Sequence, residues 1–152
     1  MIKEPEKAFI IAFDKAINEL GYDFGNAIGS GNVWSLLMIV YGKIDTKSRL
    51  CSARIYMQEN GEITLRLFLA KIDAHRQYIE NAPLHVKDAF IFAHGDCKEC
   101  NINCSPKIYT IDGKLMRKCN HDTFYFNMPT LEKLPGYMGL LSKFYPIKKQ
   151  LR

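Results

Sequence analysis

Apolar residues recur along this chain with two periods, one typical of helices and the other of strands. Near the N-terminus they return at the spacing of one helical face: Phe9, Phe13, Ala16, Ile17 and Leu20. This spacing predicts a helix over residues 5–20. Pro5 suits its first turn, and Gly21 suits its end.

Three segments with strand character follow this helix. Residues 33–41 are largely apolar and rich in β-formers, as expected of a buried strand. Residues 50–57 and 62–69 alternate between apolar and polar positions, which is typical of strands with one face on a core. The apolar set is Cys51, Ala53, Ile55 and Met57 in the first, and Ile63, Leu65, Leu67 and Leu69 in the second. Together they predict an antiparallel β-meander.

The turn between the two alternating strands sets their register. A two-residue loop at Asn60-Gly61 would place Ile55 opposite Arg66 and mix apolar with charged positions. A three-residue loop over 59–61 keeps one face wholly apolar. Its pairs are Met57 with Ile63, Ile55 with Leu65, and Ala53 with Leu67. We therefore predict the longer loop, with Gly61 in the left-handed position of a bulged turn.

The rest of the chain predicts short elements around a hairpin. They are a helix over 73–81 capped by Asp73, a helix from Pro83, strands at 107–110 and 115–118, a strand at 124–126, and a helix from Pro135 through Phe144. Asp112-Gly113 between the two hairpin strands is a strong turn signal. The order predicts an α+β fold in one domain. Its expected parts are an α+β core over 1–93, a metal-binding hairpin over 94–128, and a C-terminal helix over 129–152 that packs back on it.

Composition and charge narrow the function classes. A chain of 152 residues with 47% hydrophobic and 24% charged residues is an ordinary globular composition. The longest apolar run, 33–41, is too short to span a bilayer, and the N-terminus lacks a signal-peptide pattern, so we expect a cytoplasmic protein. Residues 97–152 hold 10 Lys and Arg against 4 Asp and Glu. This basic segment makes nucleic acid an alternative partner, although four zinc-bound thiolates would lower its charge to about +4.

Four of the five cysteines lie within 23 residues, at Cys97, Cys100, Cys104 and Cys119. A Cys-x2-Cys turn places two sulfurs on one ion, and zinc favours four such ligands in a tetrahedron. The hairpin turn brings Cys119 back towards the first three. The pattern therefore predicts a structural zinc site. Four thiolates close the coordination shell and leave no open catalytic position.

Other interpretations of these cysteines fit less well or stay open. Disulfides are rare in the cytosol, and five cysteines leave one over. An iron–sulfur cluster also takes cysteine ligands, but its usual spacing differs from the one here. His94 or His121 is an alternative ligand in place of one cysteine. Zinc deaminases require a His-x-Glu motif. The chain has His94-Gly95-Asp96 at this place, so the deaminase pattern is absent there.

The segments CKECNINC, YTIDGKLMRKC, FYF, LPGYMGLL and FYPIKK carry a resemblance. Across residues 94–149 the chain resembles small uncharacterised bacterial proteins with a C-terminal cysteine-rich hairpin. The resemblance implies that Cys97, Cys100, Cys104 and Cys119 occupy metal-type positions. It implies no activity.

The predicted register also places Arg54 directly opposite Arg66 on the non-core face, beside Tyr56. Like charges at opposite positions destabilise a sheet unless they are neutralised. We therefore expect these three residues to bind an anionic group from a small ligand or a protein segment. The other interpretation is a pair of splayed or ion-paired arginines. The predicted function is a zinc-stabilised binding or effector module that is not an enzyme. The alternatives are a nucleic-acid accessory protein and an enzyme with an unrecognised site.

Overall fold

The computed structural model describes residues 3–20, 22–23, 28–30, 37–43, 51–91, 103, 105–118 and 124–146. At 22–23, 28–30, 43 and 51 the description covers the backbone alone. The helices are α1 (Glu4–Glu19), α2 (Arg76–Glu80), α3 (Leu84–Ile91) and α4 (Leu134–Phe144), with 3₁₀ turns at Ile72–His75 and Leu131–Lys133. The strands are β1 (Tyr22–Asp23), β2 (Ile28–Ser30), β3 (Leu37–Lys43), β4 (Cys51–Met57), β5 (Ile63–Leu67), β6 (Lys107–Ile111), β7 (Lys114–Lys118) and β8 (Phe124–Asn127). This is the predicted α+β class.

An antiparallel sheet forms the centre of the fold. Its strand order is β1-β3-β4-β5-β8, and β2 also pairs with β3. The strand predicted at 33–41 is found at Leu37–Lys43, and residues 33–36 lie outside the described part. The strand β8 pairs with β5 in this sheet, with Leu65 opposite Phe126. The segment 124–127 is therefore part of the main sheet.

The predicted register of β4 and β5 is confirmed. Ala53 pairs with Leu67, Ile55 with Leu65, and Met57 with Ile63. Gly61 has φ +86°, and its N–H donates to the carbonyl of Gln58 at 3.0 Å. All six paired apolar side chains are at most 8% exposed. The apolar face of the meander thus lies on the core, as the alternation requires.

Helices α1 and α4 pack together in this core. The predicted helix face is confirmed, since Phe9, Phe13 and Ile17 are fully buried. Phe9 meets Tyr137 of α4 edge-on, with ring centroids 6.0 Å apart. Tyr137 in turn contacts Phe126 of β8 at 4.8 Å. Each such buried aromatic or aliphatic side chain stabilises the fold by roughly 1.5–3 kcal/mol through removal from water.

The second, two-stranded sheet is the predicted hairpin of β6 and β7. Lys107 pairs with Lys118, and Ile111 pairs with Lys114, which leaves a two-residue turn. Asp112 and Gly113 in that turn have φ +52° and +78°. Positive φ at both positions is the type I′ geometry that an Asp-Gly pair favours. The hairpin is anchored by Tyr109, which is fully buried and donates its hydroxyl proton to the carbonyl of Phe90 at 2.5 Å.

Residues 72–80 are helical as predicted, but the prediction that Asp73 caps one continuous helix over 73–81 is wrong. That segment is a 3₁₀ turn followed by the short helix α2, and the side chain of Asp73 makes no capping bond. Instead its Oδ1 accepts from the N–H of Thr110 at 2.9 Å and from Arg76 Nη2 at 3.0 Å. The hydrogen bond from Thr110 has the largest effect in lowering the pKa of Asp73, and the bond from Arg76 lowers it further. The carboxylate thus links the turn to β6 rather than closing the helix end.

Within the described ranges, every helix is too short or too polar to cross a bilayer.

Candidate functional site

The candidate binding residues lie on the face of the main sheet that points away from the core of α1 and α4. Alternation along β4, β5 and β8 places Arg54, Arg66 and Tyr125 in one cross-strand row. Tyr56 belongs to the next row, and Phe68 directly follows β5. We call these five residues the arginine face. The opposition of Arg54 and Arg66 that the sequence predicts is confirmed.

The two arginines gather around one aromatic ring. The guanidinium carbons of Arg54 and Arg66 lie 5.1 and 4.5 Å from the centroid of Phe68. Arg66 also lies over Tyr125, at 5.3 Å. Each cation–π contact of this kind contributes about 0.5–1 kcal/mol at exposed sites. Both guanidinium groups therefore contact the ring of Phe68.

Tyr56 adds an oriented hydroxyl to this arrangement. Arg66 Nη1 donates to the Tyr56 hydroxyl oxygen at 2.9 Å. Tyr56 is 1% exposed, so its ring is held by its surroundings. Because the hydroxyl oxygen accepts this bond, its own proton is directed away from Arg66.

Beside the arginines, a row of polar side chains connects the neighbouring strands by hydrogen bonds. Gln58 Nε2 donates to the hydroxyl of Thr64 at 3.2 Å, and that hydroxyl donates to Asn127 Oδ1 at 3.4 Å. Thr64 is only 3% exposed. These bonds connect the end of β4 with β5 and β8, which fixes the spacing of the strands that carry the arginines.

The arginine face is less exposed than the alternating pattern indicates. Polar residues at non-core positions predict a solvated face, yet Ser52 and Thr64 are buried, as is Tyr56. Arg54 and Arg66 are half-buried, and Arg54 Nε is inaccessible to solvent. Partial burial lowers the effective dielectric constant around the two charges and strengthens their interaction with any counter-charge.

The contribution of Tyr125 is not predicted by the sequence pattern. It lies 59 positions after Arg66 in the printed sequence, and only the pairing of β8 with β5 brings the two together. The available signal was the alternation in Phe124-Tyr125-Phe126, where a half-buried Tyr125 lies between two buried rings. That pattern predicts a strand but not its neighbour.

Chemically, the arginine face offers fixed positive charge and hydrogen-bond donors. An arginine side chain stays protonated at any physiological pH and does not transfer protons. Its planar fork matches the two oxygens of a carboxylate or phosphate group. The arrangement suits recognition of an anion.

The predicted metal ligands lie outside the described residues, and so do His94 and His121. Within the described part of the chain, no group of three His, Cys, Asp or Glu side chains is placed to hold a metal ion. The backbone of Cys51 forms the start of β4. The prediction that its side chain lies in the core concerns a side chain outside the described part.

Comparison with known proteins gave no match among family models, curated proteins or solved structures.

Proposed function

We propose that this chain is a small binding module that holds an anionic group on the arginine face. The observation that carries the proposal is the convergence of Arg54 and Arg66 on Phe68, with Tyr56 fixed beside them. Stacking on a ring orients each guanidinium group before a ligand arrives. Less side-chain entropy is then lost on binding than with free arginines.

The strand register also sets the two guanidinium groups at opposite positions of neighbouring strands. Opposite positions in an antiparallel pair hold their side chains close. A phosphate or carboxylate bound there accepts from both arginines. Hydrogen bonds to charged groups contribute about 1.5–3 kcal/mol each.

Calorimetric titration with inorganic phosphate tests the proposal. We expect Arg54→Gln and Arg66→Gln each to weaken phosphate binding by roughly 10- to 100-fold, which corresponds to the loss of one charged hydrogen bond. Arg117→Gln is the matched control, since Arg117 is an exposed strand arginine on β7. If phosphate does not bind, or if all three variants bind it equally, the proposal is wrong.

A second candidate is single-stranded nucleic acid. The observation in its favour is the half-buried ring of Tyr125 beside Arg66, because base stacking on an aromatic side chain contributes about 1–3 kcal/mol per base. Titration with a 12-nucleotide single-stranded DNA distinguishes the two candidates. Nucleic acid predicts affinity that falls steeply with salt and weakens on Tyr125→Leu, whereas a small-anion site predicts neither.

We also propose that Cys97, Cys100, Cys104 and Cys119 hold one structural zinc ion. The register of the hairpin supports this, because Lys107 and Lys118 are directly paired. Cys104 precedes Lys107 by three positions and Cys119 follows Lys118 by one, so the two cysteines flank the paired ends of the hairpin along the chain. Zinc bound there would add folding free energy on the order of 10 kcal/mol.

Native mass spectrometry with elemental analysis tests the metal proposal. We expect one zinc per chain and its loss in Cys119→Ser. Metal-free protein with an unchanged unfolding temperature would contradict it. Retention of zinc by Cys119→Ser together with its loss in His121→Ala or His94→Ala would assign the fourth position to a histidine.

A further inference from the structure

A cleft of about 510 Å³ opens between the segment 74–83 and the last turn of α4. It shares none of its lining residues with the arginine face. Its polar lining includes His75, Gln77, Tyr78 and Lys143, and its apolar lining includes Ala74 and Ala82. The volume lies within the range of about 300–1,000 Å³ that is common for small-molecule sites.

One ring contact and one close approach to a glycine fix the walls of this cleft. The ring of His75 packs against Phe144 with centroids 4.2 Å apart. The hydroxyl of Tyr78 lies against Gly139 so closely that a Cβ atom at position 139 would collide with it. A glycine inside a helix costs about 0.5–1 kcal/mol relative to alanine. The glycine in α4 therefore makes room for the Tyr78 hydroxyl at the cleft.

The charges of the cleft are distributed unevenly. Burial, and then the nearby Lys143, lower the pKa of His75, so its imidazole is neutral at pH 7. Burial raises the pKa of Tyr78, whose hydroxyl stays protonated. Asp73 and Glu80 line an adjoining groove that shares Ala74, Gln77 and Asn81 with the cleft, and Asp73 there is paired with Arg76. Among the lining residues that the structure describes, Lys143 is the one positive charge, and the other polar groups are neutral.

We propose that this cleft binds a small organic carboxylate, with Lys143 pairing with the carboxylate group. Tyr78 and Gln77 supply neutral hydrogen-bond donors at its side. Ala74 and Ala82, together with the tyrosine ring, cover the apolar body of the ligand. Within the described lining, one cation among neutral donors matches a monoanion better than a phosphate dianion, which needs more positive charge. This site is separate from the anion site proposed on the arginine face.

The test is a titration of the ¹⁵N-labelled full chain with benzoate, followed by amide chemical shifts, with benzyl alcohol as the uncharged probe. We expect saturable shifts at 74–82 and at Lys143 with benzoate and at least tenfold weaker binding of benzyl alcohol. Lys143→Gln should weaken benzoate binding at least tenfold. Tyr78→Phe, which removes only the hydroxyl, should weaken it about three- to tenfold, the effect of one neutral hydrogen bond.

Lys15→Gln is the control, since Lys15 is an exposed lysine on α1. Amide spectra of each variant report whether it is folded. Three results would each overturn the proposal: no saturable shift with benzoate, equal affinity for benzyl alcohol, or equal benzoate affinity in wild type and Lys143→Gln.

Discussion

Replacing Tyr109 by Phe tests how the hairpin is held to the core. The substitution removes one hydroxyl and leaves the ring, which is fully buried among Phe90 and Phe124. The lost bond runs from the Tyr109 hydroxyl to the Phe90 carbonyl. A typical buried hydrogen bond contributes about 0.5–1.5 kcal/mol, and an acceptor left without its partner adds to the loss. We therefore expect Tyr109→Phe to lower the free energy of unfolding by about 1–2 kcal/mol.

Urea unfolding followed by circular dichroism measures this loss. In thermal unfolding of a chain of this size, a loss of 1 kcal/mol in the free energy of unfolding lowers Tm by about 2–4 °C. Ile108→Ala is the control on the same strand, because Ile108 is 57% exposed. It should change stability by less than about 0.5 kcal/mol. Two results would show that β6 does not pack in this orientation. One is a Tyr109→Phe variant as stable as wild type, and the other is an Ile108→Ala variant that loses more than about 0.5 kcal/mol of stability.

Three further predictions concern the sheet and the turn at Asp73. Leu65→Ala should destabilise the chain by about 2–5 kcal/mol in urea unfolding, since Leu65 is fully buried on a central strand; a loss below 1 kcal/mol would contradict this packing. Gly61→Val should destabilise it by at least about 1 kcal/mol, because a β-branched residue is strained at φ +86°; equal stability would argue against the bulged turn. The pKa of Asp73 is lower in the folded than in the unfolded chain. Its stabilising effect is therefore present above the ordinary aspartate pKa and is lost as the pH falls through the folded value. Wild type should lose its advantage over Asp73→Asn in unfolding experiments as the pH falls below the ordinary aspartate pKa, and a constant difference would refute this link.

The local part of the fold was predictable from the sequence. The register of β4 and β5 follows from two facts: Gly61 tolerates a left-handed backbone, and only one loop length keeps Ile55 opposite Leu65. The Asp112-Gly113 turn is equally local, since both residues accept positive φ. Such signals need only neighbouring residues, so they do not depend on how the rest of the chain folds.

Contacts between distant segments were not predictable. Aspartate is a residue type that often caps helices, but the carboxylate of Asp73 instead accepts a hydrogen bond from the N–H of Thr110 on β6. The pairing of β8 with β5 and the burial of Tyr56 depend in the same way on tertiary packing. The alternation of apolar and polar positions indicates which face of a strand a residue occupies. It does not indicate what covers that face.

Side-chain NMR of the arginines tests the anion site most directly. The Nε–Hε signals of Arg54 and Arg66 report on the guanidinium groups themselves, and those of Arg76 and Arg117 serve as internal references in the same spectrum. On addition of inorganic phosphate, we predict that the signals of Arg54 and Arg66 shift together and saturate with one dissociation constant. If none of the four shifts, or if all four shift equally and without saturation, the arginine face does not bind an anion.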